Sequence, residues 1–136
     1  MAILVYTEHW DGQFKKSTFE LVSYASKLAE TANTQTVALS IGEVEEDNLR
    51  QLADYGADKI ISVNQENLKY VDNQAYTSVI QQVADQEGAD ILVLAHNNTG
   101  KALAPRLSVR LQAAPGSEVN QLPPSLDPFT VNKKDF

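Results

Sequence analysis

The sequence predicts an α/β protein: an open, doubly wound, mostly parallel sheet of about five strands with helices on both faces. Three observations predict it. Short apolar runs rich in strand formers alternate with amphipathic stretches four times along the chain. Each of the first three runs is separated from the next by enough residues for a helical crossover, which parallel strands require and which is right-handed. The runs are apolar nearly throughout rather than alternating, as strands covered on both faces are.

The elements follow in order. Residues 2–7 (AILVYT) form the first strand, and Asp11-Gly12 in the polar stretch after it is a turn signal. Ser17-x-x-Glu20 reads as a capping box that opens a helix with Leu21, Ala25, Leu28, Ala29 and Ala32 inward. Residues 36–41 are the second strand. Residues 45–55 form a short helix with Leu49, Leu52 and Ala53 inward, and Gly56 suits the left-handed position past its end. Lys59–Val63 is the third strand. Asp72 or Asn73 caps a helix that runs to about Glu87, with Ala75, Val79, Ile80, Val83 and Ala84 inward, and Gly88 stops it. Residues 91–95 are the fourth and most apolar strand. Residues 96–99 are a loop and 100–112 a last helix, with Pro105 early enough to be tolerated. After Gln112 four prolines punctuate a helix-poor tail, in which 118–122 could add a fifth strand and 129–131 a short extended piece.

Composition bounds the chemistry. The 136 residues are 43% hydrophobic and contain no cysteine. A chain of that size buries roughly two-thirds of its unfolded surface, enough for a core without disulfides or a structural metal. Zero cysteine excludes a disulfide framework, a thiolate zinc or iron–sulfur site and a cysteine nucleophile. Eleven Lys and Arg against 18 Asp and Glu leave a net charge of −7. That argues against nucleic acid or an anionic membrane as partner. No apolar run approaches the roughly 20 residues that span a bilayer. The first residues carry neither a basic leader with a cleavage site nor an Arg-rich transit pattern. A soluble, reducing compartment is the expected location.

Ligands of such sheets bind beyond the carboxyl ends of the strands where crossovers reverse, here strands one and four. Thr7, Glu8, His96, Thr99 and Gly100 are the candidate contacts, with His9 and Lys101 beside them. Both histidines of the chain therefore fall at these mouths, as titratable groups next to an acceptor and a cation. The plainer reading is that loops at strand ends are polar in any case, since no third metal ligand and no nucleophile–base spacing accompanies them. Asn98-Thr99-Gly100-Lys101 looks like a phosphate-binding turn, but a phosphate-loop pattern fails at Ala95 and Ala102, so a plain helix cap is the simpler account. Arg106 and Arg110 lie four apart, as an anion patch or as a solvated face. The acidic run Glu43, Glu45, Glu46, Asp47 suits a helix N-terminus. Trp10 is either an exposed contact residue or folded over the sheet. No hydrolase, zinc-protease or Ser-x-x-Lys motif occurs, so no self-sufficient catalytic centre, no catalytic residue and no metal ligand is predicted.

Several of these stretches carry a resemblance. Ile3-Leu4-Val5-Tyr6-Thr7-Glu8-His9, a polar turn, Lys16-Ser17-Thr18 and a helix with Ala25 and Leu28 resemble the opening of electron transfer flavoprotein alpha subunits. Tyr55-Gly56-Ala57-Asp58-Lys59 matches that family's YGADK. Gly100-Lys101-x-Leu103-Ala104-Pro105-Arg106-Leu107-x-x-Arg110-Leu111 resembles its G-[RK]-x-L-A-P-R-x-x-x-[RK]-L helix. The order and spacing agree along nearly the whole chain.

The resemblance implies a Rossmann-like fold of the adenine nucleotide alpha hydrolase type. It implies an alpha subunit paired with a homologous beta subunit. The pair carries one FAD and passes electrons from acyl-CoA-type dehydrogenases, as in fatty acid oxidation, to a quinone reductase or another acceptor. The family's flavin sits mainly in a C-terminal domain of alpha, and a structural AMP sits in beta. The flavin domain's motifs do not occur in these 136 residues, so no FAD contact carries over. Residues 1–113 are then a nucleotide-binding-like scaffold, and 114–136 a tail leading toward the flavin domain. The implied setting is a bacterial cytoplasm, or a mitochondrial matrix after removal of a transit peptide. The alternative is a small adenine-nucleotide-binding domain of the universal-stress type. A third reading is a homodimeric module that exchanges its tail.

Overall fold

The computed structural model describes residues 2–64, 73–95, 114–115 and 129–132. In chain order its elements are β1 (Ala2–Tyr6), α1 (Lys16–Thr31), β2 (Gln35–Ile41), α2 (Glu46–Asp54), β3 (Lys59–Val63), α3 (Asn73–Glu87), β4 (Ala89–Leu94), β5 (Ala114–Pro115) and β6 (Phe129–Asn132). The strands form one sheet in the order β3-β2-β1-β4-β6-β5. The first four are parallel, while β6 runs antiparallel to β4 and β5 antiparallel to β6. The fourth strand starts two residues earlier than the apolar run, and the first ends one residue sooner. The extended piece expected at 129–131 is β6. The strand expected at 118–122 and the helix expected at 100–112 lie outside the described residues, and the two-residue β5 had no signal in the sequence.

All five residues of β1 are buried. Ala2, Leu4 and Tyr6 pack toward α3, with Leu39, Ile80 and Leu92 in the same cluster. Ile3 and Val5 pack toward α1 and α2, with Leu21, Ala25, Ala38 and Leu52. Helices therefore cover both faces, and the crossovers reverse between β1 and β4. This is the doubly wound arrangement that the apolar runs predict.

Three local expectations need correction. The Ser17–Glu20 capping box does not form: α1 begins at Lys16, its N-cap is Lys15, and no side chain caps it. Ser17 is thereby inside the first turn and exposed, while Glu20 lies 3.8 Å from Lys16. Thr18 is the residue turned inward there, buried with its hydroxyl on the preceding loop. Ala53 of α2 is exposed, because this short helix meets the core along a narrow stripe, through buried Leu52 and half-buried Leu49. In α1, Leu28 and Ala32 are half-buried, while Val22 and Tyr24 join the buried set.

Gly56 closes α2 as expected, with φ +118°. Its amide and that of Ala57 return to Ala53 and Leu52 carbonyls at 3.1 and 3.2 Å. A β-carbon at this position would run into the Ser26 side chain of α1, so the helices touch only because the residue has none. Gly56→Ala should lower stability by about 1–3 kcal/mol through backbone strain and this clash. Chemical denaturation of the variant against the parent chain measures it.

Candidate functional site

The crevice beyond β1 and β4 is the place where this topology binds ligands. Its β1 side is described. On the β4 side the description reaches Ala95, and His96, Thr99, Gly100 and Lys101 lie outside it, as do Arg106 and Arg110.

Thr7 is fully buried, and its N–H and its hydroxyl both donate to the Leu39 carbonyl, each at 2.8 Å. Glu8 is half-buried, and its carbonyl accepts the Thr18 hydroxyl at 2.8 Å. The Glu8 carboxylate acts on the α3 face, where Tyr6 and Tyr76 meet edge to face at 6.3 Å. Burial, then Tyr76, then Glu8 push the Tyr6 phenol far above its ordinary range, and burial and Glu8 raise Tyr76 as well.

His9 is the pivot of the loop. Its Nε2 lies 2.8 Å from the Ile41 carbonyl, and its Nδ1 accepts the Gly12 N–H at 3.0 Å. A carbonyl only accepts, so this network assigns the proton to Nε2. Gly42 lets the ring in: a β-carbon there would stand 2.8 Å from Nε2. Trp10 and Gln13 exchange backbone hydrogen bonds at 2.9 and 3.0 Å around Asp11 (φ 50°) and Gly12 (φ 81°). Positive φ at both central positions makes a type I′ turn, the form Asp-Gly favours. Asn48 of α2 donates to the Gly12 carbonyl at 3.0 Å and fastens the turn to the next crossover.

Aromatic rings continue outward from His9. It meets Phe14 edge on at 6.3 Å, Phe14 meets Phe19 at 6.1 Å, and Phe19 stacks on Tyr55 at 4.4 Å. Trp10 is 41% exposed, with the Lys15 ammonium 4.1 Å from its ring centre. Of the two readings of Trp10, the exposed one is correct.

At the described side of this mouth the Thr7, His9, Thr18 and Asn48 side chains are thus turned to backbone. Thr18, Asn48 and Gly42 carry no motif signal, because their partners lie 10 to 36 residues away. Only Asp11-Gly12 announced the turn. Among the described residues the buried hydroxyls of Tyr24 and Ser40 have no hydrogen-bond partner, a cost of about 1–3 kcal/mol each. Among the described residues no group of three or more His, Asp or Glu could hold a metal ion, and no helix is long and apolar enough to cross a membrane.

Residues 3–134 match the family model of the electron transfer flavoprotein domain. The chain is 32% identical over 109 residues to the acryloyl-CoA reductase electron transfer subunit beta of Anaerotignum propionicum, covering 80% of this chain and 30% of that one. It is 30% identical over 110 residues to the electron transfer flavoprotein subunit alpha of Bacillus subtilis (strain 168), covering 81% and 33%. The chain therefore spans about a third of the length of these curated relatives. A solved universal stress protein in complex with cAMP superposes with a TM-score of 0.50 at 18% identity, covering 80% of this chain and 90% of that one. That likeness is one of fold.

Two outcomes follow from the geometry. His9→Ala removes both ring contacts and leaves the Ile41 carbonyl and the Gly12 amide without them. It should cost about 1–3 kcal/mol and speed hydrogen exchange at Gly12, read by NMR. Tyr6 ionises near 10.0 when unfolded and well above that when folded. Its contribution to stability is therefore complete below pH 10 and is lost as the pH rises toward the folded value. Urea unfolding between about pH 9 and 11 should show stability falling more steeply in the parent than in Tyr6→Phe.

Proposed function

The chain belongs to the electron transfer flavoprotein domain family, and from that premise we propose that it serves as the N-terminal scaffold and docking domain of an alpha-type subunit. In this reading it pairs with a homologous beta subunit. The assembled carrier holds one FAD in a separate domain and an AMP in beta. It takes electrons from acyl-CoA-type dehydrogenases and delivers them to a quinone reductase or another acceptor, in a bacterial cytoplasm. Residues 1–113 form most of the scaffold, and 114–136, which add β5 and β6 to its sheet, lead on toward the flavin domain. Catalysis is not assigned to this domain.

The observation that carries the reading is the use made of the mouth of β1. Thr7, His9, Thr18 and Asn48 each bond to backbone, so these side chains hold the loops in place. A scaffold needs rigid loops there. A nucleotide site needs donors turned to the ligand.

Co-expression with an electron transfer flavoprotein beta subunit tests the reading. The chain should co-elute with beta on size exclusion, as a full-length alpha subunit does under the same conditions. Purified alone it should be colourless, and calorimetry with AMP and ATP should give no binding heat. Failure to associate where full-length alpha succeeds would refute the docking role, and stoichiometric flavin absorbance would refute the placement of FAD elsewhere.

A further inference from the structure

Trp10 and Tyr55 are the exposed large hydrophobic residues among those described, at 41% and 44%. They are not scattered. Beside the Trp10 turn, ring contacts run from His9 through Phe14 and Phe19 to Tyr55. The result is a partly exposed aromatic strip that crosses the start of α1. Exposed aromatics of this kind mark interaction sites more often than scattered aliphatic residues do. The strip is also held rigid. The type I′ turn, the His9 contacts to Ile41 and Gly12, and Asn48 fix the backbone that carries Trp10. A prepositioned aromatic loses little entropy on binding.

The charge around the strip is mostly acidic, with Lys15 and Lys16 as the cations beside the turn. Asp11 lies on the turn itself, and the neighbouring loop brings Glu43, Glu45 and Asp47, all exposed and without an ion pair among the described residues. That loop touches the turn: a β-carbon on Gly12 would stand 3.1 Å from the Glu43 carbonyl. Glu46 is held by Arg50 at 2.9 Å. The Lys15 ammonium sits over the Trp10 ring at 4.1 Å, so an arriving guanidinium takes the other face of the ring or displaces the ammonium.

We propose that this strip is a docking surface for a basic protein segment, one whose arginine side chains stack on Trp10 and pair with the surrounding carboxylates. Arginine suits both contacts, because its planar guanidinium stacks on rings and forks to carboxylates. The inference goes beyond the scaffold reading and stands whether or not a beta subunit associates.

The test uses the whole chain and a labelled oligo-arginine peptide, with oligo-lysine and oligo-glutamate for comparison. Trp10 is the only tryptophan, so its fluorescence reports occupation of the strip directly. Oligo-arginine should bind, shift that emission and weaken with added salt. Oligo-lysine should bind less tightly and oligo-glutamate not at all. Trp10→Ala should weaken binding about tenfold by fluorescence polarisation. The triple variant Glu43→Gln, Glu45→Gln, Asp47→Asn should weaken it at least as much while keeping the tryptophan signal. A control of equal charge change away from the strip, Glu30→Lys with Gln82→Lys, should leave affinity within about twofold. Circular dichroism checks that each variant folds. Absence of binding, binding without a change at Trp10, or equal loss in the control would each overturn the proposal.

Discussion

Strand β1 has no face toward water, and the arrangement of the other elements depends on that. Every residue from Ala2 to Tyr6 is buried, with alternate side chains in two separate clusters. Burial of a Val, Leu or Ile side chain is worth about 1.5–3 kcal/mol, so the strand rewards cover from both sides. Such a strand must be central, with β2 and β4 as its neighbours, and helices must arrive on opposite faces. The crossovers then have to reverse beside it. A crevice at its carboxyl end is a geometric consequence of its apolar sequence.

The same burial explains the polar residues at that crevice. Where the chain leaves a dry strand, the carbonyls of Leu39 and Ile41 still need donors. Thr7 and His9 supply them, and Thr18 does the same for Glu8. Thr7, a candidate ligand contact in the sequence, directs its N–H and its hydroxyl to a strand carbonyl. Glu8 differs, since its carboxylate bears on the buried tyrosine pair of the opposite face. On the β1 side, the loops of this mouth are thus fastened to the strands and helices beside them.

What the sequence revealed and what it hid divide along physical lines. The parallel strands and their helices were legible because burial on both faces writes itself as uninterrupted apolar runs. Gly56 was legible because a left-handed helix end is a local property. Ser17 misled because a capping box needs only two residues at the right spacing, whereas the position of a helix start is decided by what its first turn packs against. There it is Thr18 bonding to Glu8. Ala53 misled for a related reason: helical spacing gives a stripe but not its width, and α2 lies where the sheet offers little to cover. The antiparallel β5 and β6 are long-range pairings, and β5 is only two residues long, too short to have a period. At the mouth, His9 was visible as a residue but not as a clasp, since Ile41 is 32 positions away.

His9 and Trp10 are consecutive, yet one ring is drawn into the structure and the other is left in water. The reason is the turn they enter. Its two central residues both take positive φ, which lets the chain reverse within four residues and bond back on itself. His9, at the entrance, is caught between its own turn and the end of β2, and Gly42 leaves the space for its ring. With His9 fixed inward, the backbone has one direction left for the next side chain. The exposure of Trp10 is therefore imposed by the clasp. At 41% exposure Trp10 leaves a large part of its ring in water, with Lys15 over it. That contrast, a well-anchored turn carrying an aromatic that the core leaves partly exposed, is what makes the surface rather than the crevice the informative part of this loop.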